Sequence, residues 1–542
     1  MCGIWALLKS NPDLVLKYIQ SFNTIKNRGP DSSIIHIDKN YIVGFHRLAI
    51  NDLSVSGNQP FYYSTYTHNY ILVSNGEIYN HLYLEEKYRI STESTSDCEV
   101  LLPLFIILNE NLHDFNNELR GEYSILIIKQ EKNTNTVEYF VSTDPLSVRP
   151  MFYYMDDYNE IGFSSLLSGL SNISDNVNRL DQGSYIQGKT DFLTYNNYNI
   201  IKYVNNNLPY ITLDNNELYN TIVDTLVESV NIRLVSDRPI GCLLSGGLDS
   251  SLIAAIASKE LKKEGKRLRT FSIGMSDGTD IEYARIVAKH IDSDHTEFIF
   301  TMEEGLSAIE DVIKATETYD ITTIRASVGQ YLIAKKIAET TDIKVILNGD
   351  GADECQMGYL YFYLHSSIDE AKKERNKLLE QIHLFDGLRV DRNISYHGLE
   401  ARVPFLDKEF VNLYYQINPE LLVPTKERME KYLIRDAFNI IMPDLLPREV
   451  LMRKKEAFSD GISSKEKSWY LIVKEYYNNL ITDEEFNTRE TLDGIKPLCK
   501  ESFYYRKRFN ELYGQNHKVI PRYWLPNWII SNDPSARTLQ IY

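Results

Sequence analysis

The chain has 542 residues, too many for one hydrophobic core, so two or three domains are expected. With 43% hydrophobic and 25% charged residues it has an ordinary globular composition, and its net charge of −17 argues against a nucleic-acid partner. No apolar run reaches the roughly 18 residues of a membrane span, the N-terminus lacks the pattern of a signal peptide, and Cys2, Cys98, Cys242, Cys355 and Cys499 form no C-x-x-C pair. A cytoplasmic protein without a disulfide framework or zinc site is the expectation.

From Cys2 to about residue 188 the pattern is short β-branched runs. Cys2–Leu8, Ser33–Ile37, Tyr41–Phe45, Tyr70–Ser74, Tyr123–Lys129, Val137–Ser142, Met151–Tyr154 and Ile161–Ser164 read as strands. Helical patterns fall near Leu14–Ile25, Tyr79–Glu86 and Asp97–Leu108. Many strands and few helices suggest sheet on sheet with helices outside. Cys2 follows the initiator Met. Once that Met is removed, its thiol and a free α-amine share one carbon, and an amine of pKa about 7.7–8.0 serves as a base toward the thiol. A buried Cys that happens to stand second is the plain alternative.

Four motifs follow in order: Asn27-Arg28-Gly29-Pro30-Asp31, His46-Arg47-Leu48-Ala49-Ile50, Ser74-Asn75-Gly76-Glu77-Ile78 and Ser96-Asp97-Cys98-Glu99. With Cys2 they resemble the class II glutamine amidotransferases, whose fold is an N-terminal-nucleophile αββα sandwich. The resemblance implies that Arg47 binds the glutamine α-carboxylate, and that Asp97 and Glu77 hold its amine. Asn75 and Gly76 would supply the oxyanion donors. The residue types suit these roles: Arg gives a planar bidentate grip on a carboxylate, and an amide with a backbone N–H suits a tetrahedral oxyanion. Asn75-Gly76 is equally a hairpin turn signal, and Arg47 equally a surface ion pair.

Residues 189–210 are polar and rich in Asn and Tyr, and read as a linker. Glu217–Val235 repeats apolar residues every four positions, an amphipathic helix. From Arg238 strands and helices alternate. The strands are Ile240–Leu244, Arg269–Ile273, Glu297–Phe300 and Lys344–Leu347, with helices at Ser250–Glu264, Asp280–Ile291, Met302–Thr318 and Ser327–Thr341. This predicts an α/β doubly wound parallel sheet that binds ligands at the carboxyl ends of its strands.

Between the first strand and its helix lies Leu243-Leu244-Ser245-Gly246-Gly247-Leu248-Asp249-Ser250-Ser251. Backbone N–H groups and hydroxyls there, at the positive end of a helix dipole, make an anion cradle suited to phosphate. Asp249 fits if it holds a divalent cation shared with the phosphates. The Walker and dinucleotide spacings are both absent. The stretch resembles the SGGxDS loop of ATP-pyrophosphatases. The loop Asn348-Gly349-Asp350-Gly351-Ala352-Asp353-Glu354 follows another strand at the same edge, where Asp353 and Asp249 can share a metal. A plain glycine-rich turn with solvated acids is the alternative.

Farther on stand Glu317–Ser327, polar and basic between two helices, then Leu399–Asp407, Arg453–Gly461 and Asn532-Asp533-Pro534-Ser535-Ala536-Arg537. Both halves, in this order, resemble the glutamine-hydrolysing asparagine synthetases. The resemblance implies a glutaminase domain at 2–188 and a synthetase domain at 211–542. It implies Mg²⁺ as cofactor with ATP, aspartate and glutamine as small-molecule partners, and a homodimer is compatible with it. Thr322, Thr323 and Arg325 would hold aspartate, Ile273, Asn348 and Gly349 would join the ATP site, and Lys455 would reach the adenylate phosphates. Asp350 stands where the family carries Glu, and Asn348 where it carries Ser. The remaining tail reads as surface helices. Two rivals are an adenylating cyclase of the β-lactam synthetase type, disfavoured by Cys2, and a non-catalytic ATP- or glutamine-binding regulator.

Overall fold

The computed structural model describes residues 1–134, 136–156, 160–190, 197–204, 206, 208–456, 458–463 and 467–529. The segment 532–537 and Ala457 of the sequence motifs lie outside the described residues.

Strands β1 (Gly3–Leu8), β2 (Ser32–Ile37), β3 (Tyr41–Arg47), β4 (Phe61–Ser64), β5 (His68–Ile78), β6 (Gly121–Glu131) and β7 (Val137–Thr143) open the chain. They are followed by β8 (Phe152–Met155), β9 (Ile161–Ser164), β10 (Asn178–Arg179), β11 (Ser184–Thr190) and β12 (Asn197–Lys202). These build two antiparallel sheets, ordered β10-β8-β9-β1-β3-β2 and β12-β11-β7-β6-β5-β4. Period-two alternation produces the layers. Ile4, Ala6 and Leu8 of β1 join Leu126 and Ile128 of β6 between the sheets, whereas Trp5 and Leu7 pack on the opposite side. Ile125 and Ile127 face a third cluster with Leu101, Leu104, Phe105 and Phe115 of two outer helices. The αββα layering follows.

Four strands carry too little signal to read beforehand. β4 presents mostly exposed residues, β10 has two, and β11 and β12 mix polar residues with few apolar ones. β12 lies inside the polar stretch read as a linker, and it pairs antiparallel with β11.

The second half holds β13 (Ile240–Leu243), β14 (Arg269–Gly274), β15 (Asp294–Ile299), β16 (Val345–Leu347) and β17 (Glu400–Arg402), all parallel, in the order β15-β14-β13-β16-β17. The strand order reverses between β13 and β16, which opens a crevice at their carboxyl ends. Helix Leu248–Lys263 follows β13 and buries Leu252, Ala254, Ala255 and Ala257 against the sheet. The polar stretch before Ser327 is already helical. Helix Ile321–Thr340 starts at the N-cap Asp320, whose side chain accepts from Thr323 N–H. Nearly every residue of its first half is buried, so amphipathic contrast could not mark its start. The tail is not a set of surface helices either, because helix Lys500–Tyr513 buries Glu501, Tyr505, Arg506, Phe509 and Tyr513. Among the described residues no helix is long and apolar enough to cross a membrane.

The halves meet through buried ion pairs. Arg28 reaches Asp391 at 2.7 Å and Arg149 reaches Glu122 at 2.8 Å and Asp391 at 3.2 Å. Arg233 holds Glu122 at 2.9 Å and Asp407 at 2.8 Å, while Arg402 holds Glu400 at 2.9 Å and Glu77 at 3.3 Å. Against the burial that would raise it, Arg28 and then Arg149 hold the Asp391 carboxyl down at about 2, and Arg233 and Arg120 depress Asp407. Groups with depressed folded pKa values stabilise above the unfolded value, about 3.9, and lose that contribution as pH falls through the folded one. Urea midpoints should therefore fall between about pH 4 and pH 2, with Asp391 alone accounting for roughly 2 kcal/mol. Asp391→Asn should flatten that limb. An unchanged acid limb in this variant would show that the pair does not govern it.

Candidate functional sites

The first site lies where β1, β3 and β5 meet. Cys2 is half-buried at the start of β1. Its backbone N–H donates to Asn75 Oδ1 at 2.7 Å, and Leu48 N–H points at Cys2 Sγ at 3.4 Å. Burial pushes the thiol above its ordinary pKa, against the nearby N-terminal charge and the Leu48 amide. Met1 is buried, with its amine 3.2 Å from Glu400 Oε2. Asn75 Nδ2 is buried and has no hydrogen-bond partner among the described residues, an open amide donor on the side chain that accepts from Cys2 N–H. Gly76 has φ +135°, and a Cβ there would lie 1.8 Å from Glu122 carbonyl oxygen, so only glycine fits β5 against β6.

Asn51 binds the next two acids together. Its Nδ2 donates to Glu77 Oε2 at 2.5 Å and to Asp97 Oδ1 at 3.4 Å, and Ile78 N–H donates to Asp97 Oδ2 at 2.6 Å. Burial and then the charges of Asp97 and Glu400 push Glu77 well above the usual carboxylate range, and burial also raises Asp97. Two crowded carboxylates make a socket for an ammonium, whose charge relieves the repulsion. Arg47 is braced by the Ser54 carbonyl at 2.7 Å, Asn58 Oδ1 at 2.8 Å and the carbonyls of Asn51 and Asp52. All six residues expected in this site thus fall in one neighbourhood. Asn51 and the Leu48 amide were missed: Leu48 stood inside a quoted motif, and Asn51 lies one residue past it.

The second site fills the crevice between β13 and β16. Its walls include Leu243, Leu244, Ser245, Gly247, Asp249 and Ser250 from one loop, and Asn348, Gly349, Asp350 and Asp353 from the other. Ile273, Thr322, Arg325 and Lys455 also line it, and Gly246, Ser251 and Thr323 do not. Gly246 serves the loop through its φ of +71°, since a Cβ would strike Tyr283 at 2.4 Å. Thr323 donates its hydroxyl to Asp320 at 2.8 Å and is committed to the helix cap. The two loops touch, because a Cβ on Gly349 would come within 2.7 Å of Ser250 nitrogen.

Four charged groups meet at this contact. Lys431 Nζ lies 2.6 Å from Asp249 Oδ2 and 2.5 Å from Asp353 Oδ1, and Lys455 Nζ lies 2.5 Å from Asp353 Oδ2. Against burial, the two lysines hold Asp353 far below the usual carboxylate range, and Asp353 with Asp249 raises Lys455. Both ammonium groups stand where phosphate would arrive. Lys431, in the left-handed region before helix Tyr432–Ile441, has no motif signal and was not foreseen. Asp350 accepts from Arg389 at 2.5 Å and from Gln330 at 3.2 Å, and its N–H donates to Asn348 Oδ1 at 3.0 Å. Asp350 and Asn348, the two residues that the sequence sets apart, are therefore hydrogen-bonded to each other.

Comparison with known proteins matches the two halves separately. A family model described as "Glutamine amidotransferase domain" matches residues 1–212, and one described as "Asparagine synthase" matches 221–381 and 369–532. The chain is 38% identical to the glutamine-hydrolyzing asparagine synthetase of Gallus gallus, over 100% of this chain and 99% of that protein. It is likewise 38% identical to that of Homo sapiens, with the same coverage. With an antiparallel two-sheet half and a parallel-sheet half each matched by a family model, and a relative matched along the whole length, this chain belongs to the family of glutamine-hydrolysing asparagine synthetases.

Proposed function

We propose that the chain makes asparagine from aspartate, glutamine and ATP by linking its two sites. The observation that carries this reading is that a thiol with an open amide donor and a phosphate-type crevice occur in one chain. With Met1 removed, the nitrogen of Cys2 becomes a free α-amine able to take the thiol proton. The thiolate attacks the glutamine side-chain amide, with Asn75 and Gly76 receiving the oxyanion. Ammonia leaves, and water releases glutamate from the thioester. Arg47 takes the α-carboxylate, and Glu77 and Asp97 the α-ammonium.

In the crevice the aspartate β-carboxylate attacks the α-phosphate of ATP, which expels pyrophosphate and forms β-aspartyl-AMP. Ammonia attacks that mixed anhydride, giving asparagine and AMP. Ser245, Gly247 and Ser250 cradle phosphate at the helix N-terminus, and Lys455 and Lys431 neutralise its charge. Thr322 and Arg325 stand at the aspartate end. Asp249 and Asp353 would hold Mg²⁺. Whereas Asp353 would have to share its oxygens with Lys431 and Lys455, Asp249 fits, since its Oδ1 is buried and accepts no hydrogen bond from the described residues. Among those residues no group of three or more His, Cys, Asp or Glu forms a cage, so two carboxylates would share the ion with phosphates, the usual Mg²⁺ arrangement. When bound, Mg²⁺ would stabilise the charge that develops on the phosphates.

Supplying the protein with aspartate, ATP, Mg²⁺ and glutamine should release asparagine, glutamate, AMP and pyrophosphate. ADP and phosphate in place of AMP and pyrophosphate would overturn the adenylation step. Binding of glutamine or ATP with no product would favour a regulator.

A further inference from the structure

Arg325 stands in the second turn of helix Ile321–Thr340, at the wall of the crevice beside Thr322, Tyr470 and Trp524. A second carboxylate holds it from behind. Arg325 Nε donates to Glu501 Oε1 at 2.8 Å and Nη2 donates to Glu501 Oε2 at 2.5 Å, a bidentate pair. Both side chains are buried, 5% and 2% exposed. Tyr505 hydroxyl donates to Glu501 Oε1 at 3.0 Å, and the Tyr470 ring lies 5.7 Å from the guanidinium. Glu501 does not line the crevice; it opens helix Lys500–Tyr513, which packs on helices Met302–Thr316 and Trp469–Leu480.

Such a pair does two things. It balances a guanidinium that would otherwise be buried without its counter-charge. It also fixes a long, flexible side chain in one plane, so that the fork is aimed before a ligand arrives. The C-terminal segment supports the same wall twice more: Trp524 N–H donates to Asp320 Oδ1 at 2.7 Å, and Thr322 hydroxyl donates to the Trp524 carbonyl at 3.2 Å. Chain distant by some 176–204 residues thus supports the first turns of helix Ile321–Thr340.

We propose that Glu501 is a positioning residue for aspartate, aiming the Arg325 guanidinium at the substrate carboxylate from the C-terminal helix. The proposal rests on the reading that Arg325 binds aspartate. Glu501 touches no substrate, and its effect passes through Arg325.

The test is ammonia-dependent asparagine synthesis by the full-length protein, with KM measured separately for aspartate and ATP. Glu501→Gln should raise KM for aspartate by about tenfold or more, because misplacement of about 1 Å costs up to ~10²-fold. KM for ATP and glutamine hydrolysis should change less than about twofold. Glu501→Asp, which keeps the charge, should recover part of the loss. An unchanged or lowered KM for aspartate in Glu501→Gln overturns the proposal, as does an equal rise for both substrates. Arg325→Lys is measured in parallel. If it too leaves KM for aspartate unchanged, the reading of Arg325 has failed rather than that of Glu501. If Glu501→Gln does not fold, Tyr505→Phe carries the test: a raised KM for aspartate alone supports the proposal, and an unchanged one overturns it.

Discussion

Cys2→Ala is expected to lower glutamine-dependent asparagine formation by on the order of 10³-fold or more, and to leave ammonia-dependent formation within about twofold. The Cys2 thiol has the Leu48 amide at 3.4 Å, and the Cys2 backbone N–H donates to Asn75 Oδ1 at 2.7 Å. Alanine retains that backbone geometry and removes only the attacking atom. Glutamine should still bind, since Arg47, Glu77 and Asp97 are untouched. The crevice between β13 and β16 draws none of its walls from residues before 243, so adenylation should continue once ammonia is supplied. Glutamate release and asparagine formation, followed separately with each nitrogen source, check the claim. Wild-type glutaminase in this variant would assign the nucleophile elsewhere.

The second large effect is expected at Asp350. Asp350→Ala should reduce asparagine formation by roughly 10²-fold or more from either nitrogen source, while glutaminase persists. This acid lines the crevice, and Arg389 and Gln330 fix both of its oxygens. Burial raises its pKa, against the pull of Arg389. A carboxylate so held can orient the attacking amine or take its proton. It is one methylene shorter than the Glu that the sequence resemblance implies at this position, which would withdraw the acid by roughly 1.5 Å. Asp350→Glu should therefore match or exceed the parent rate. Parental asparagine synthesis by Asp350→Ala would deny the residue a catalytic part.

How far the sequence could be read depended on whether a contact is local. The β1 and β6 alternation, the loop after β13 and the motif around Glu77 each lie within a few residues, and their local chemistry is visible in one dimension. Helix Ile321–Thr340 starts six residues before the sequence pattern places it, because burial on all sides erases the period that reveals a helix start. β17 spans only Glu400, Ala401 and Arg402, two of them charged; it pairs with β16, and its charges meet Met1 and Glu77. Lys431 and Arg389 belong to the site only after folding. Lys431 crosses 182 positions to reach Asp249, and no spacing rule covers such a distance.

The ion pairs that join the halves bear on whether the molecule can be divided. Glu122, Arg149 and Arg28 lie in the first half with side chains almost wholly buried; Glu122 and Arg149 pair with each other, and the second half adds Arg233 to Glu122 and Asp391 to both Arg149 and Arg28. A fragment ending near residue 204 would lose Asp391 and Arg233, leaving Arg28 without its carboxylate and the Glu122–Arg149 pair uncovered, beside the apolar surface that carries Trp5, Phe152 and Leu167. Such a fragment would be prone to aggregate rather than to act as a free-standing glutaminase. Heating the intact chain should then give a single calorimetric transition, with van't Hoff and measured enthalpies in agreement, and limited proteolysis should find no productive cut between the halves.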